Sequence, residues 1–71
     1  MGMDEKARLD AFEKMLHAIR ENYQNTDQKM KRLKEEGKEK TATYRQLIGN
    51  KMQYQNMLSL YQIYGLTDEG E

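Results

Sequence analysis

Residues 9–33, LDAFEKMLHAIRENYQNTDQKMKRL, decide the fold. Their apolar residues recur in alternating steps of three and four positions, which is the heptad spacing of a helix that packs along one stripe. Thr26 is the polar residue that interrupts the pattern. The apolar members of the stripe are Leu9, Phe12, Leu16, Ile19, Tyr23, Met30 and Leu33.

Signals at both ends of this stripe predict one long helix over about residues 4–36. Asp4 precedes it as an N-cap, and Gly37 follows it as a residue that tolerates the left-handed conformation of a helix C-terminus. The polar run Asn25-Thr26-Asp27-Gln28 offers an alternative, because it resembles a cap that divides the segment into two helices.

A second helix is expected over about residues 43–64. Thr43 and Gln46 fit a capping box, and Gly65 marks the end. Residues 37–42 contain no apolar side chain larger than alanine and therefore predict the turn. The same three-and-four spacing continues through Tyr44, Leu47, Lys51, Tyr54, Leu58 and Tyr61.

The two stripes, together called the inner stripe below, match each other if the helices fold back antiparallel. Thr26 then faces Lys51, which gives one polar layer of the kind that fixes register. Tyrosine rings fill several layers, and we expect their hydroxyls to reach water at the edge; base stacking is the alternative role. The remaining layers pair Leu33 with Tyr44, Met30 with Leu47, Tyr23 with Tyr54, Ile19 with Leu58 and Leu16 with Tyr61. The fold class is thus an all-α antiparallel hairpin, a single domain over 1–71 with 1–3 and 66–71 disordered.

Composition excludes several other classes. The 71 residues contain no proline, valine or cysteine, so strands, disulfides and thiolate sites are not expected. The sequence contains no run of 18 apolar residues, which is the length expected of a membrane-spanning helix. We therefore expect a cytoplasmic protein without membrane contact.

The sequence contains no convincing catalytic or metal-binding constellation. His17 shares a helix face with Glu13 and Glu21, but that face is charged and far from the inner stripe, so solvated charge pairs are the simpler interpretation. Ser59, the lone serine, has no base at helical spacing. We expect no enzyme activity, no catalytic or metal-binding residue and no cofactor.

Apolar residues outside the inner stripe predict self-association, as a homodimer or larger. One hairpin leaves them uncovered, and two hairpins form an antiparallel four-helix bundle. Small residues Ala7, Ala11 and Ala18 permit close approach of a neighbour, or simply favour helix. The chain is then an interaction or adaptor protein whose partner is itself, with another protein as the alternative. The predicted interface comprises Ile48, Met52, Met57, Leu60, Ile63 and Tyr64.

Positive charge gathers around the predicted turn. Between residues 29 and 45 seven basic residues stand against three acidic ones, although the chain as a whole has a net charge of zero. Such a tip favours phosphate contact, whereas its alternating signs are typical of a solvated helix end. A nucleic-acid-associated accessory protein is therefore the second hypothesis, with contacts from Lys29, Arg32, Lys38, Lys40 and Arg45.

Overall fold

The structure, a computed structural model, describes residues 4–67. Two helices, α1 (Glu5–Glu35) and α2 (Ala42–Ile63), pack against each other as an antiparallel hairpin. This confirms the predicted all-α fold, with each helix boundary displaced by one residue. Of the segments expected to be disordered, 1–3 and 68–71 lie outside the described residues.

Local hydrogen bonds fix both ends of α1. A carboxylate oxygen of Asp4 accepts from the Ala7 amide at 2.7 Å, so the predicted N-cap is confirmed. At the other end Gly37 has a φ of 73°, and the Lys38 amide donates to the Leu33 carbonyl at 2.8 Å. This is the Schellman arrangement, which glycine permits because it lacks a Cβ.

The same arrangement ends α2. Gly65 has a φ of 74°, and the Leu66 amide donates to the Tyr61 carbonyl at 2.9 Å. Thr67 follows, and its hydroxyl accepts a hydrogen bond from the Arg20 guanidinium at 2.8 Å. Leu66 and Thr67 of the expected tail are thus hydrogen-bonded to the body of the hairpin.

The start of α2 differs from the prediction. Thr41, not Thr43, is the N-cap: its hydroxyl accepts from the Tyr44 amide at 3.2 Å and donates to the Lys38 carbonyl at 2.8 Å. The predicted capping box at Thr43 and Gln46 is wrong, because Thr43 already lies inside the helix. The Thr41 hydroxyl therefore joins the segment between the helices to the N-terminal end of α2.

The core follows the inner stripe. Leu16, Ile19 and Thr26 are buried, and the other inner-stripe residues from Tyr23 to Tyr61 are half-buried. α1 is continuous through residues 25–28, so the alternative of a broken helix is wrong. The buried Thr26 side chain belongs to the helix–helix contact, which favours continuation over a local cap.

The hairpin has two different ends. Its closed end is the turn, residues 36–41; its open end is where α1 begins and α2 ends. α1 has 31 residues and α2 has 22, so α1 extends past its partner at the open end. Leu9 and Phe12 are for that reason 58% and 45% exposed despite their inner-stripe positions.

Candidate functional site

One flat side of the hairpin is polar and internally paired. The Lys51 ammonium lies 2.7 Å from one Asp27 carboxylate oxygen, and Lys31 lies 3.2 Å from the other. The Lys51 hydrogen bond, followed by that of Lys31, lowers the pKa of Asp27, and the bond to Asp27 raises the pKa of Lys51. The Lys51 ammonium, expected opposite Thr26, thus pairs with Asp27, the next residue of α1.

Further hydrogen bonds run along this polar side towards the open end. Gln55 donates from its amide to the Tyr23 hydroxyl at 3.3 Å, and Arg20 reaches Thr67. The shallow groove between the helices here is lined by Arg20, Tyr23, Gln24, Gln55, Asn56, Leu58, Ser59 and Gln62. Polar partners within the chain therefore occupy much of this side.

The Tyr61 hydroxyl corrects one expectation. It was predicted to reach water at the edge of the inner stripe, but its oxygen is buried and has no hydrogen-bond partner within residues 4–67. Such a buried hydroxyl destabilises the folded state, since it loses its hydrogen bonds to water and gains none in the protein. The Tyr23 hydroxyl, by contrast, accepts its bond from Gln55 at an exposed position.

The opposite flat side carries no charge over most of its length. Asp27 and Arg20 flank the inner stripe on the polar side of α1, so helical spacing puts the stripe containing Met15 on the opposite flank. On α2, Lys51 and Gln55 define the polar flank, and the stripe containing Met57 lies opposite. The residues of this uncharged face are Ala11, Met15, Ala18 and Asn22 of α1 and Gln46, Asn50, Gln53, Met57, Leu60 and Tyr64 of α2.

Apolar side chains of the uncharged face concentrate in its open half. Met15 is 49% exposed, and on α2 Met57, Leu60 and Tyr64 are all exposed as well. Towards the closed end the same stripe of α2 continues with amides, of which Gln46 donates to Asn50 at 3.4 Å. Within residues 4–67 the open half of this face is thus largely apolar and exposed.

The six residues of the predicted interface fall on two stripes. Met57, Leu60 and Tyr64 belong to the uncharged face, three and four positions apart. The other three share a neighbouring stripe, since their spacings of four and eleven positions are close to whole turns; they are Ile48, Met52 and Ile63, and all are exposed. The two stripes point in different directions around α2, so a single flat partner would contact them unequally.

Alanines and a glycine on the outer surfaces leave open space. Ala7, Ala11 and Ala18 are exposed on α1, and a Cβ built on Gly49 of α2 would meet nothing within 4 Å. Gly49 therefore mediates no close contact within the hairpin.

The predicted nucleic-acid residues gather at the closed end. Lys29 and Arg32 lie in the last turns of α1, Lys38 and Lys40 in the turn, and Arg45 in the first turn of α2; all are exposed. The Lys38 ammonium lies 3.2 Å from the Glu36 carboxylate. The charge of the closed end is thereby partly compensated within the chain.

The histidine singled out in the sequence lies on the surface of α1. His17 lies 3.1 Å from the Glu21 carboxylate, with both side chains largely in solvent. Over residues 4–67, no three His, Cys, Asp or Glu side chains come together as a possible metal site. In that same range neither helix has the length and apolar character needed to cross a membrane.

Comparison of the chain with protein-family models, with curated proteins and with solved structures finds no match. The residues themselves therefore carry the functional argument.

Proposed function

We propose that this chain is a small helical protein–protein interaction module that acts as a homo-oligomer, and that its uncharged face is the contact surface. The observation that carries the proposal is the open half of that face. In a sequence that is 34% charged, it presents Met15, Met57, Leu60 and Tyr64 on an uncharged stretch. On α1 that stretch is bounded by Arg8 at the open end and by Lys29 towards the closed end. Methionine and tyrosine are side chains that protein interfaces favour, whereas charged residues are depleted at interface cores.

The exposed area supports the same conclusion. The chain exposes 5984 Å², whereas a compact monomer of this mass would expose roughly 4,700 Å². The difference exceeds the roughly 800 Å² that each partner buries in a standard interface. The shape explains the excess, because the Cα atoms span only 14 Å in the thinnest direction and no third helix within residues 4–67 covers either flat side.

The homo-oligomer is favoured over a different protein partner because the apolar area is large for so small a chain. A patch of this kind left open in solution promotes aggregation, and a second copy is always present to cover it. Nucleic acid is a weaker candidate, since acidic Glu35, Glu36 and Glu39 are interleaved with the basic residues of the closed end.

Sedimentation of matched charge variants tests the proposal. Leu60 and Met52 are each 57% exposed on α2, but only Leu60 lies on the uncharged face. Leu60→Glu should raise the dimer Kd by more than about 100-fold, roughly 2.7 kcal/mol, because the contact would bury an unpaired carboxylate. Met52→Glu should leave the Kd within about threefold of the wild type.

Three results would contradict the proposal. A wild-type chain that is monomeric at tens of micromolar, with a melting curve independent of concentration, would exclude self-association. Equal effects of Leu60→Glu and Met52→Glu would exclude the uncharged face as the specific contact. A Leu60→Glu chain that stays oligomeric but loses a co-purifying protein would assign the face to that other partner.

A further inference from the structure

We propose that the second copy covers the uncharged face in antiparallel orientation, with the two-fold axis level with Leu16 and His17 of α1 and with Tyr61 and Gln62 of α2. This inference rests on the proposed function and specifies how the two copies are arranged. Two independent features of the chain place the axis within about one residue of this level: the charges beside the face on α1 and the apolar stripe of α2.

The first feature is a pair of opposite charges on one flank of the face. Lys14 and Glu21 are seven positions apart, and both border the stripe of Ala11, Met15 and Ala18 on its outer side. If two α1 helices pack antiparallel about the proposed axis, Lys14 of each copy comes within about 3 Å, along the helix axis, of the level of Glu21 of the other, an offset that the long lysine side chain spans. Two complementary pairs form by symmetry, whereas parallel packing in register would juxtapose like charges.

Glu21 already has one partner in its own chain, since His17 lies 3.1 Å from one carboxylate oxygen. A carboxylate has two oxygens and accepts several hydrogen bonds, so the second oxygen can accept from a lysine of the other copy. Lys14, His17 and Glu21 are all exposed, which leaves their side chains able to adjust to the contact.

Side-chain size agrees with the same register. Met15 lies opposite Ala18 of the second copy, and Ala18 lies opposite its Met15. A long flexible side chain therefore meets a methyl group at both places. Large-on-small contacts of this kind let two helices approach to about 8–10 Å between axes.

The second feature comes from α2 and does not depend on the charges of α1. Asp27 binds Lys51 and Tyr23 binds Gln55, so each step of four along α1 is matched by a step of four back along α2. Continued for seven more residues, this register sets Leu16 level with Gln62 and His17 level with Tyr61, so the proposed axis is level with Tyr61 and Gln62. That level lies about one residue from the middle of the apolar stripe from Met57 to Tyr64, so a two-fold axis there brings the two apolar stripes together.

The natural absence of cysteine permits a direct geometric test by disulfide cross-linking. Ala11 and Asn22 are exposed on the face and lie opposite each other across the proposed axis. Ala11→Cys and Asn22→Cys chains, mixed and oxidised, should give the mixed 11–22 disulfide. Each variant alone should give little, because identical positions lie about 16 Å apart along the helix axis, beyond the roughly 7 Å that a disulfide allows between Cα atoms.

Oxidation of the same mixture in urea is the control, since unfolded chains form all three disulfides without preference. Disulfides between identical positions in the folded protein would show parallel packing and overturn the inference. A dimer by sedimentation that forms no disulfide at either position would also overturn it, while leaving the proposed function intact. A monomeric wild type would remove the proposed function itself.

Charge reversal gives an independent second readout. Lys14→Glu and Glu21→Lys should each raise the dimer Kd by about 10-fold, since each replaces two attractive pairs with two repulsive ones. The double variant should return to within about threefold of the wild type. A double variant as weak as the sum of the single ones would show that the two side chains do not meet across the contact.

Discussion

Leu16→Ala and Leu9→Ala form a matched pair that tests whether the inner stripe stabilises the hairpin. Both substitutions remove the same atoms from the same stripe of α1. Leu16 is 7% exposed because α2 covers it, whereas Leu9 is 58% exposed because it lies beyond the end of α2. The difference between the two variants therefore measures the contribution of the contact with α2.

The expected magnitudes follow from these exposures. Truncation of a buried leucine to alanine costs about 2–5 kcal/mol, and the cost falls where neighbours can relax into the space. Leu16 and Ile19 are the buried hydrophobic residues of the described chain, so its core is one layer thick and able to relax. We expect a loss of about 2–3 kcal/mol for Leu16→Ala and less than about 1 kcal/mol for Leu9→Ala, most of whose side chain is already in water.

Urea denaturation followed by circular dichroism measures both values. All samples should be at one protein concentration, because association adds to the apparent stability of a dimer. With a slope near 1 kcal/mol per M for so small a domain, Leu16→Ala should lower the midpoint by about 2 M or more. Equal losses for the two variants, or a larger loss for Leu9→Ala, would refute the reasoning that α2 packing along the inner stripe holds the hairpin together.

Two further expectations follow from the ends of the helices and from the polar side. Thr41→Ala should lower the free energy of unfolding by about 1 kcal/mol because it removes the N-cap of α2. Thr43→Ala, within the helix, should change the urea midpoint little. A larger effect of Thr43→Ala than of Thr41→Ala would show that Thr43 caps the helix in solution. Because the pKa of Asp27 is held below its ordinary value of 3.8, its pairing with Lys51 stabilises the fold above that pH and is lost as the pH falls through the lowered value. Asp27→Asn should make the acid limb of a stability–pH curve shallower, and an unchanged limb would show that the pair contributes nothing.

The spacing of apolar residues was sufficient to predict the hairpin because a heptad stripe on each helix admits few other arrangements. Gly37 and Gly65 marked the helix ends for a local reason, since both positions need a left-handed backbone. The cap of α2 was not predictable in this way. Two threonines, Thr41 and Thr43, are close to its start, and the path of the turn from Lys38 decides that Thr41 makes the bonds.

Asn25-Thr26-Asp27-Gln28 shows where local sequence patterns mislead. Taken alone, these residues resemble a helix start, yet α1 continues through them. Thr26 is buried against α2, and Asp27 binds Lys51 of α2. The capping signal is thus overridden by contacts with a helix that is distant in sequence, which a local pattern does not contain.

The uncharged face required the structure for a similar reason. The stripe of Met57, Leu60 and Tyr64 has regular helical spacing in the sequence, and so does the stripe of Met15 and the alanines. Spacing alone does not tell whether the two stripes lie on the same side of the hairpin. The polar groove does, because Arg20 of α1 lines it together with Gln55 and Gln62 of α2. The stripes on the opposite flank of each helix therefore lie together on the other side of the hairpin.

The distribution of charge along the hairpin favours a contact centred on the open half. Between residues 29 and 45 each copy carries seven basic and three acidic residues, so two closed ends repel each other when they are close. An antiparallel pair with its axis near Leu16 points the closed ends in opposite directions. With a rise of 1.5 Å per residue they are then on the order of 55 Å apart, several times the roughly 8 Å over which salt screens charge in the cell. The same arrangement that covers the apolar residues thus separates the like-charged turns, whereas parallel packing would bring those turns together.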